Sequence, residues 1–479
     1  MLNSPWKNGQ NIPNLSWKIG QKKTQEGDSM IKRKISSFLE NFFSTEKHEA
    51  LLITGARQIG KSFAIREFGT AHFAHFVEIN FIEMPEAAQA VRTAKNAEDL
   101  ILRISAITNQ QLEKGNTLIF FDEVQKVPEI VTAIKFLVDE GSYRYILSGS
   151  LLGIELKGIQ SVPVGYMTIK EMYPLDLEEF FTACGLNKNV LDSVQKNFQE
   201  KTPVDSIVHE KMMQLFRLYL IVGGMPAAVQ TYLDTNNIQN VLNVQKSILQ
   251  MYREDISQYD PESKLYIEDI FDLIPSELNA QNKRFILKNL NENMKFNRYE
   301  DSFIWLREAG VALPVYNVES PTLPLELAKL RNLFKLFSND VGLLACQYAE
   351  GIQLRILNDE DGINFGSIYE NAVAQEFYSH GFKLFYFNSK KQGELDFVFK
   401  IDDEICPIEV KSGKNYERHN ALKNVMENKE YNIPRAYVLT NENLRTKERI
   451  TYIPIYMMMF IQNTRLESFV YKVDLSGLV

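Results

Sequence analysis

The stretch "ALLITGARQIGKSFAIREFG", residues 50–69, constrains this chain more than any other. Leu51 to Thr54 is a short apolar strand, Gly55 and Gly60 bracket the loop that follows, and a helix begins after it. Glycines in that order let backbone N–H groups curl around an anion, and the helix N-terminus adds positive potential. The run Gly55-Ala-Arg-Gln-Ile-Gly60-Lys61-Ser62 has the P-loop spacing. It predicts an α/β fold with a P-loop NTPase parallel sheet at its core, and a nucleotide phosphate in the loop. Gly55, Ala56, Arg57, Gln58, Ile59, Gly60, Lys61, Ser62 and Phe63 are the predicted cofactor-binding residues. Lys61 would reach the β and γ phosphates, and the Ser62 hydroxyl would bind Mg²⁺.

"TLIFFDEVQKVPEIV" supplies the partner. Leu118 to Phe121 is wholly apolar, as a strand covered on both faces requires. Asp122 and Glu123 end it, at the edge where open α/β sheets bind ligands. Asp122 would hold Mg²⁺ and Glu123 would polarise the attacking water. Such a pair alone reads as a solvated strand end; the P-loop upstream makes it functional. "YRYILSGSLLG" is a third strand ending at Ser148, which would help place that water. No Asn-Lys-x-Asp guanine-reading motif occurs, so ATP is favoured over GTP.

With 479 residues the chain exceeds one ordinary core, and two or three domains are expected. A formal net charge of −8 excludes a chain-wide basic footprint for nucleic acid, though not a local one. Cys184, Cys346 and Cys406 lack zinc or disulfide spacing, which points to a reducing cytoplasm. The six histidines, His48, His72, His75, His209, His380 and His419, have no cysteine to complete a metal set and read as structural. "YIPIYMMMF" is too short to span a membrane and contains Pro454, so it reads as a buried strand or short helix. Residues 1–29 are polar and aperiodic, the pattern of a disordered tail; Met30 opens a cleaner amphipathic run and reads as the natural start, with a genuine N-terminal arm as the alternative.

"GARQIGKS", "FFDEVQKVPEIV", "YILSGSLLG", "YPLDLEEFF" and "YLIVGGMPAAV", in this order, resemble the AAA-superfamily ATPases fused to a C-terminal domain of unknown function. The resemblance implies an AAA-type core at 30–205, a helical and winged-helix lid at 206–344 and an α/β restriction-endonuclease-like domain at 345–479. Many relatives carry Gly-Arg before the segment matching "MTIKEMYPLDLEEFF", and that arginine is a candidate finger on the γ-phosphate. This chain has Gly165-Tyr166, which leaves open a nucleotide-gated switch with little hydrolysis; Lys170 and Arg217 are candidate substitutes. The paired glycines Gly223-Gly224 read as a structural turn between helices. Lys283, Arg284, Lys288, Lys295 and Arg298 form a modest basic cluster in the winged-helix region, where protein contact is weighed above DNA.

"QGELDFVFKIDDEICPIEVKSG", residues 392–413, reads as a β-hairpin turning at Asp402-Asp403. Counting outward sets Ile401 opposite Glu404, Phe399 opposite Cys406, Asp396 opposite Glu409 and Glu394 opposite Lys411. Two facing carboxylates destabilise a hairpin, and a divalent cation between them would reverse that sign. A predicted helix from Ser367 to His380 brings Glu370 near an apolar stripe. Glu370, Asp396, Glu409 and Lys411 thus match the PD-(D/E)xK nuclease pattern, with a second Mg²⁺ or Mn²⁺ and DNA as implied partners. The alternatives are a Glu394–Lys411 ion pair and a solvated sheet end. The expected function is a Mg-dependent ATPase whose nucleotide state controls a nucleic-acid- or partner-binding C-terminal domain, and the alternative is an ATP-regulated DNA nuclease.

Overall fold

The computed structural model describes residues 31–45, 49–150, 165–259, 264–280, 282–286, 299–348, 351–360 and 365–463. The expected tail at 1–29, Met30, His48, Lys288, Lys295 and Arg298 lie outside the described residues. Strands β1 (Ala50–Thr54), β2 (His75–Asn80), β3 (Thr117–Asp122), β4 (Arg144–Ser148) and β5 (Met167–Glu171) form one parallel sheet in the order β2-β3-β4-β1-β5. Leu118 to Phe121 are fully buried because helices cover both faces. Those helices are α1 (Lys34–Phe43), α2 (Lys61–His72), α3 (Pro85–Thr93), α4 (Ala97–Thr108) and α5 (Glu129–Glu140). The chain leaves β1 for the sheet edge at β2 and returns through β3 and β4, so the strand order reverses beside β1. That reversal opens a crevice at the strand ends, where the P-loop lies.

A helical region follows: α6 (Leu177–Ala183), α7 (Lys188–Glu200), α8 (Ser206–Val222), α9 (Pro226–Thr235), α10 (Ile238–Tyr259), α11 (Lys264–Asn279) and α12 (Glu300–Glu308). Asp176 and Glu179 form a capping box that starts α6. The Gly223-Gly224 turn between α8 and α9 is a tight joint. A Cβ on Gly224 would meet the Leu175 carbonyl at 2.1 Å, and the Gly224 N–H donates to Asp340 at 2.6 Å.

Two antiparallel strands end this region, β6 (Ala312–Val318) and β7 (Lys329–Ser338). β6 also pairs in parallel with β8 (Phe385–Ser389), which pairs with β9 (Gly393–Leu395), giving a mixed sheet β7-β6-β8-β9. This sheet runs across the division expected at residue 344. A second mixed sheet, β10-β11-β12-β14-β13, contains β10 (Phe397–Ile401), β11 (Glu404–Val410), β12 (Ala436–Thr440), β13 (Arg445–Lys447) and β14 (Ile450–Pro454). The remaining helices are α13 (Val341–Cys346), α14 (Ile352–Leu357), α15 (Gly366–Ser379) and α16 (Asn420–Glu427). "YIPIYMMMF" becomes the end of β14 followed by a buried 3₁₀ turn, Ile455–Phe460.

Helix α15 is buried on every side from Ser367 to Phe377. Its polar residues answer backbone groups of other elements. Asn371 bonds both Ser338 N (2.8 Å) and Ser338 O (3.1 Å), Gln375 accepts from Val341 N (2.8 Å), and Glu376 accepts from Leu177 N (3.0 Å). Each such bond left unmade in the interior would cost about 1–3 kcal/mol, so α15 is fixed as a strut between the C-terminal sheets and α6. No helix among the described residues is long and apolar enough to cross a membrane.

Candidate nucleotide site and a second carboxylate cluster

The loop between β1 and α2 is shaped by residues with positive φ: Gly55 at 129°, Gln58 at 65° and Gly60 at 88°. Gly55 is required, because a Cβ there would lie 2.2 Å from the Met172 carbonyl. Helix α2 starts at Lys61 with no side chain capping it and no acidic residue in its first turn, so its N-terminus keeps the positive potential that favours phosphate. The Lys61 ammonium folds back into the loop and donates to the carbonyls of Gly55 (2.9 Å) and Ala56 (2.7 Å). Burial lowers its pKa to about 8, against the pull of Glu123 and Asp122. Lys61 is a buried cation short of negative charge, which a phosphate would supply.

Asp122, at the end of β3, is buried and held from both sides. Ser62 Oγ donates to its Oδ2 at 2.9 Å, and Ser148 Oγ donates to its Oδ1. Ser148 therefore orients Asp122 as it ends β4. The hydroxyl and carboxylate oxygens of Ser62 and Asp122 are hard donors beside the phosphate cradle, a set that fits Mg²⁺ sharing its sphere with phosphates and water. Glu123 has φ 56° and starts a 3₁₀ turn; its carboxylate accepts from Gln125 Nε2, which also reaches Ser150 Oγ at 3.3 Å. Gln125 and Ser150 stand inside the quoted motifs, but no spacing rule marks them as site residues; their contacts with Glu123 and Arg57 come from the fold.

Arg57 connects the loop to α10. Its guanidinium pairs with Asp255 and donates from Nε to Ser150 Oγ at 3.2 Å, while Tyr252 OH donates to the Arg57 carbonyl at 3.3 Å. Gln58 reaches Met251 Sδ at 3.8 Å. Behind the loop, Arg33 donates to the Ile59 carbonyl (3.1 Å) and the Tyr173 carbonyl (2.7 Å). Tyr166, by contrast, lies at the other edge of the sheet. Its carbonyl accepts from Ala50 N at 2.9 Å, at the start of β1, and the P-loop follows the end of that strand, about 13 Å away. An arginine at 166 would not reach the phosphates of its own chain. Lys170 lies 5.0 Å from the Phe38 ring, and Arg217 pairs with Asp359 at 3.5 Å. Arg57 lies in the loop itself, and Arg33 reaches the loop from behind.

The C-terminal candidates Glu370, Asp396, Glu409 and Lys411 do converge. The hairpin register is as counted from Ile401–Glu404 to Phe399–Cys406, with Asp402 and Asp403 both at positive φ (52° and 62°). Asp396 follows β9 and accepts from Val410 N at 2.9 Å, while Lys411 Nζ lies 3.0 Å from Glu409. Glu394 does not face Lys411. The chain leaves the hairpin at Asp396, β9 pairs with β8, and Glu394 sits 2.7 Å from Lys335 Nζ. Nor is the cluster at a solvated sheet end: Glu370 and Glu409 are buried. Lys283 pairs with Glu370 Oε1, and Lys335 Nζ lies 3.7 Å from Glu370 Oε2.

Charge in this cluster is shared unevenly. Burial alone would lower Lys335, but Glu370, Glu394 and Asp396 outweigh it and hold the ammonium above its usual range. Burial would raise Asp396, but Lys335, Lys283 and Lys411 hold it down. Burial and the neighbouring Asp396 raise both Glu370 and Glu409. The ammoniums of Lys283, Lys335 and Lys411 already stand among the carboxylates of Glu370, Glu394, Asp396 and Glu409, so most of the negative charge that would hold a divalent ion is already met. The residues present therefore do not fit a divalent metal, and no group of three or more carboxylate, histidine or cysteine residues suited to an ion is found among the described residues. Lys335 was missed in the sequence, although a lysine inside the apolar run "LFKLF" was its signal.

Residues 47–181 match the model of the AAA domain, so the chain carries an AAA-type P-loop ATPase domain. Residues 213–354 and 365–458 match two domains of unknown function, DUF8612 and DUF4143. No curated protein matches the chain. Among solved structures it is similar to Cdc6p from Pyrobaculum aerophilum, with 14% identity, 68% of this chain and 92% of that one covered and a TM-score of 0.22. The Orc1 protein of Aeropyrum pernix in complex with DNA gives 11%, 68%, 92% and 0.25. A RuvB variant from Thermotoga maritima gives 15%, 60%, 89% and 0.26. TM-scores this low support no shared function.

Proposed function

We propose that this chain binds and hydrolyses Mg·ATP at the P-loop and that its nucleotide state is passed to the C-terminal sheets. The observation that carries this reading is the Ser62–Asp122 contact of 2.9 Å beside the buried Lys61, at the mouth of an uncapped helix. Lys61 binds the β and γ phosphates and leaves the loop carbonyls to do so. Ser62 and Asp122 hold Mg²⁺, which supplies charge neutralisation to the phosphate oxygens. Glu123 accepts the proton of the attacking water, with Gln125 fixing its carboxylate. Ser148 keeps Asp122 in place.

Two contacts support transmission. A Cβ on Gly310, just before β6, would lie 3.2 Å from Ala56 N, so the C-terminal sheet packs directly on the P-loop. The Arg57–Asp255 pair ties the same loop to α10. Nucleotide entry that shifts Ala56 or Arg57 therefore acts on both. The downstream domain binds a protein or nucleic-acid partner, with protein contact favoured by the overall net charge of −8. Three free cysteines agree with a cytoplasmic setting. The test is ATP binding and phosphate release by wild type and Lys61→Ala: release that depends on Lys61 supports the reading, and no ATP binding by wild type refutes it.

A further inference from the structure

The PD-(D/E)xK-like pattern predicts a divalent ion among Glu370, Asp396 and Glu409, and the geometry shows lysines there instead. Lys335 comes from the middle of β7, is 1% exposed, and points its ammonium between Glu394 (2.7 Å) and Glu370 (3.7 Å), with the Tyr386 ring 5.0 Å away. Lys283 comes from the segment after α11 and closes on the other oxygen of Glu370. Lys411 takes Glu409 at 3.0 Å. Each carboxylate of the pattern thus has an ammonium beside it or, for Asp396, a backbone N–H at 2.9 Å with those ammoniums around it.

We infer that the C-terminal domain is a lysine-filled, metal-independent relative of a nuclease centre, in which Lys335 and Lys283 stand where a divalent cation would be held. An ammonium cannot act as a Lewis acid or generate a metal-bound hydroxide. The cluster instead fastens three pieces of chain together. Lys283 belongs to the helical region, Lys335 to β7, and Glu370 to the strut α15. The carboxylates that would open a phosphodiester cleft hold the helical region against the C-terminal sheets. A lysine cannot be exchanged with solvent as an ion can, so this junction is permanent and indifferent to chelators.

The test is Mn²⁺ binding to the nucleotide-free full chain, read by electron paramagnetic resonance. Wild type, Asp396→Asn and Lys335→Met are compared. Wild type and Asp396→Asn are expected to bind the same amount of Mn²⁺, because no ion depends on Asp396. Lys335→Met is expected to gain an ion, with affinity at least ten-fold tighter than wild type. One Mn²⁺ per wild-type chain that is lost in Asp396→Asn overturns the inference, and so does unchanged affinity in Lys335→Met. Should Lys335→Met fail to fold, the wild-type and Asp396→Asn pair decides alone.

Discussion

At the P-loop a buried lysine donates to carbonyls, while in the C-terminal cluster buried lysines sit on carboxylates. Lys61 bonds Gly55 and Ala56, and Asp122 is held by the hydroxyls of Ser62 and Ser148. Lys335 and Lys283 close on Glu370 and Glu394. Both sites join acidic residues at strand ends to lysines, yet only the first leaves its cation in want of an anion. Residue types alone do not separate a ligand site from a structural ion cluster. What separates them is whether the charges are already matched.

The sharpest way to break that contrast is to remove a matched charge. Lys335→Met leaves Glu370 and Glu394 facing a buried gap, and removing one partner of a buried pair costs about 3–5 kcal/mol. Urea denaturation of wild type and variant measures it; a loss below about 1 kcal/mol would mean that the cluster is held by something else. Next is the P-loop latch. Asp255→Ala frees Arg57 for an incoming phosphate, and calorimetry should show ATP binding about 3–10-fold tighter, equal to about 0.7–1.4 kcal/mol. Weaker binding would assign Asp255 to shaping the loop instead.

A smaller effect is expected at the strut. Burial lowers His380, but Glu376 at 3.4 Å outweighs it and the imidazole is raised above 6.5. A raised folded value gives stability that is fully present below the unfolded pKa and is lost as pH rises through the folded one. Stability should therefore decline through neutral pH in wild type, and His380→Gln should flatten that decline. Denaturation midpoints between pH 6 and 9 check the sign, and an identical slope in the two proteins would remove His380 from the account.

The P-loop was legible because its chemistry is contiguous: strand, Gly55, Gly60, Lys61 and Ser62 follow one another directly, and local backbone demands name each one. Asp122 was legible because an apolar run must end where it meets water or ligand. The contacts that decide the second cluster are long-range. Lys283 is 87 residues from Glu370, and at the P-loop Asp255 is likewise 198 from Arg57, so no local pattern connects either pair. The counted hairpin register runs from Asp402-Asp403 back to Phe397 and is lost at Glu394, because β9 pairs with β8. The pairing of β6 with β7 and with β8 depends on tertiary contacts that no local pattern announces. Tyr166 drew attention by resemblance, and only the parallel register of β5 on β1 shows it far from the phosphates.

The most direct test of the contrast is ATP turnover under Mg²⁺ in wild type, Lys61→Ala and Asp396→Asn, with folding of each checked by circular dichroism. The account predicts phosphate release that falls about 10²–10³-fold in Lys61→Ala, as expected for loss of a preorganised phosphate contact, and stays within about two-fold in Asp396→Asn. Turnover that survives in folded Lys61→Ala, or is abolished in folded Asp396→Asn, would contradict it.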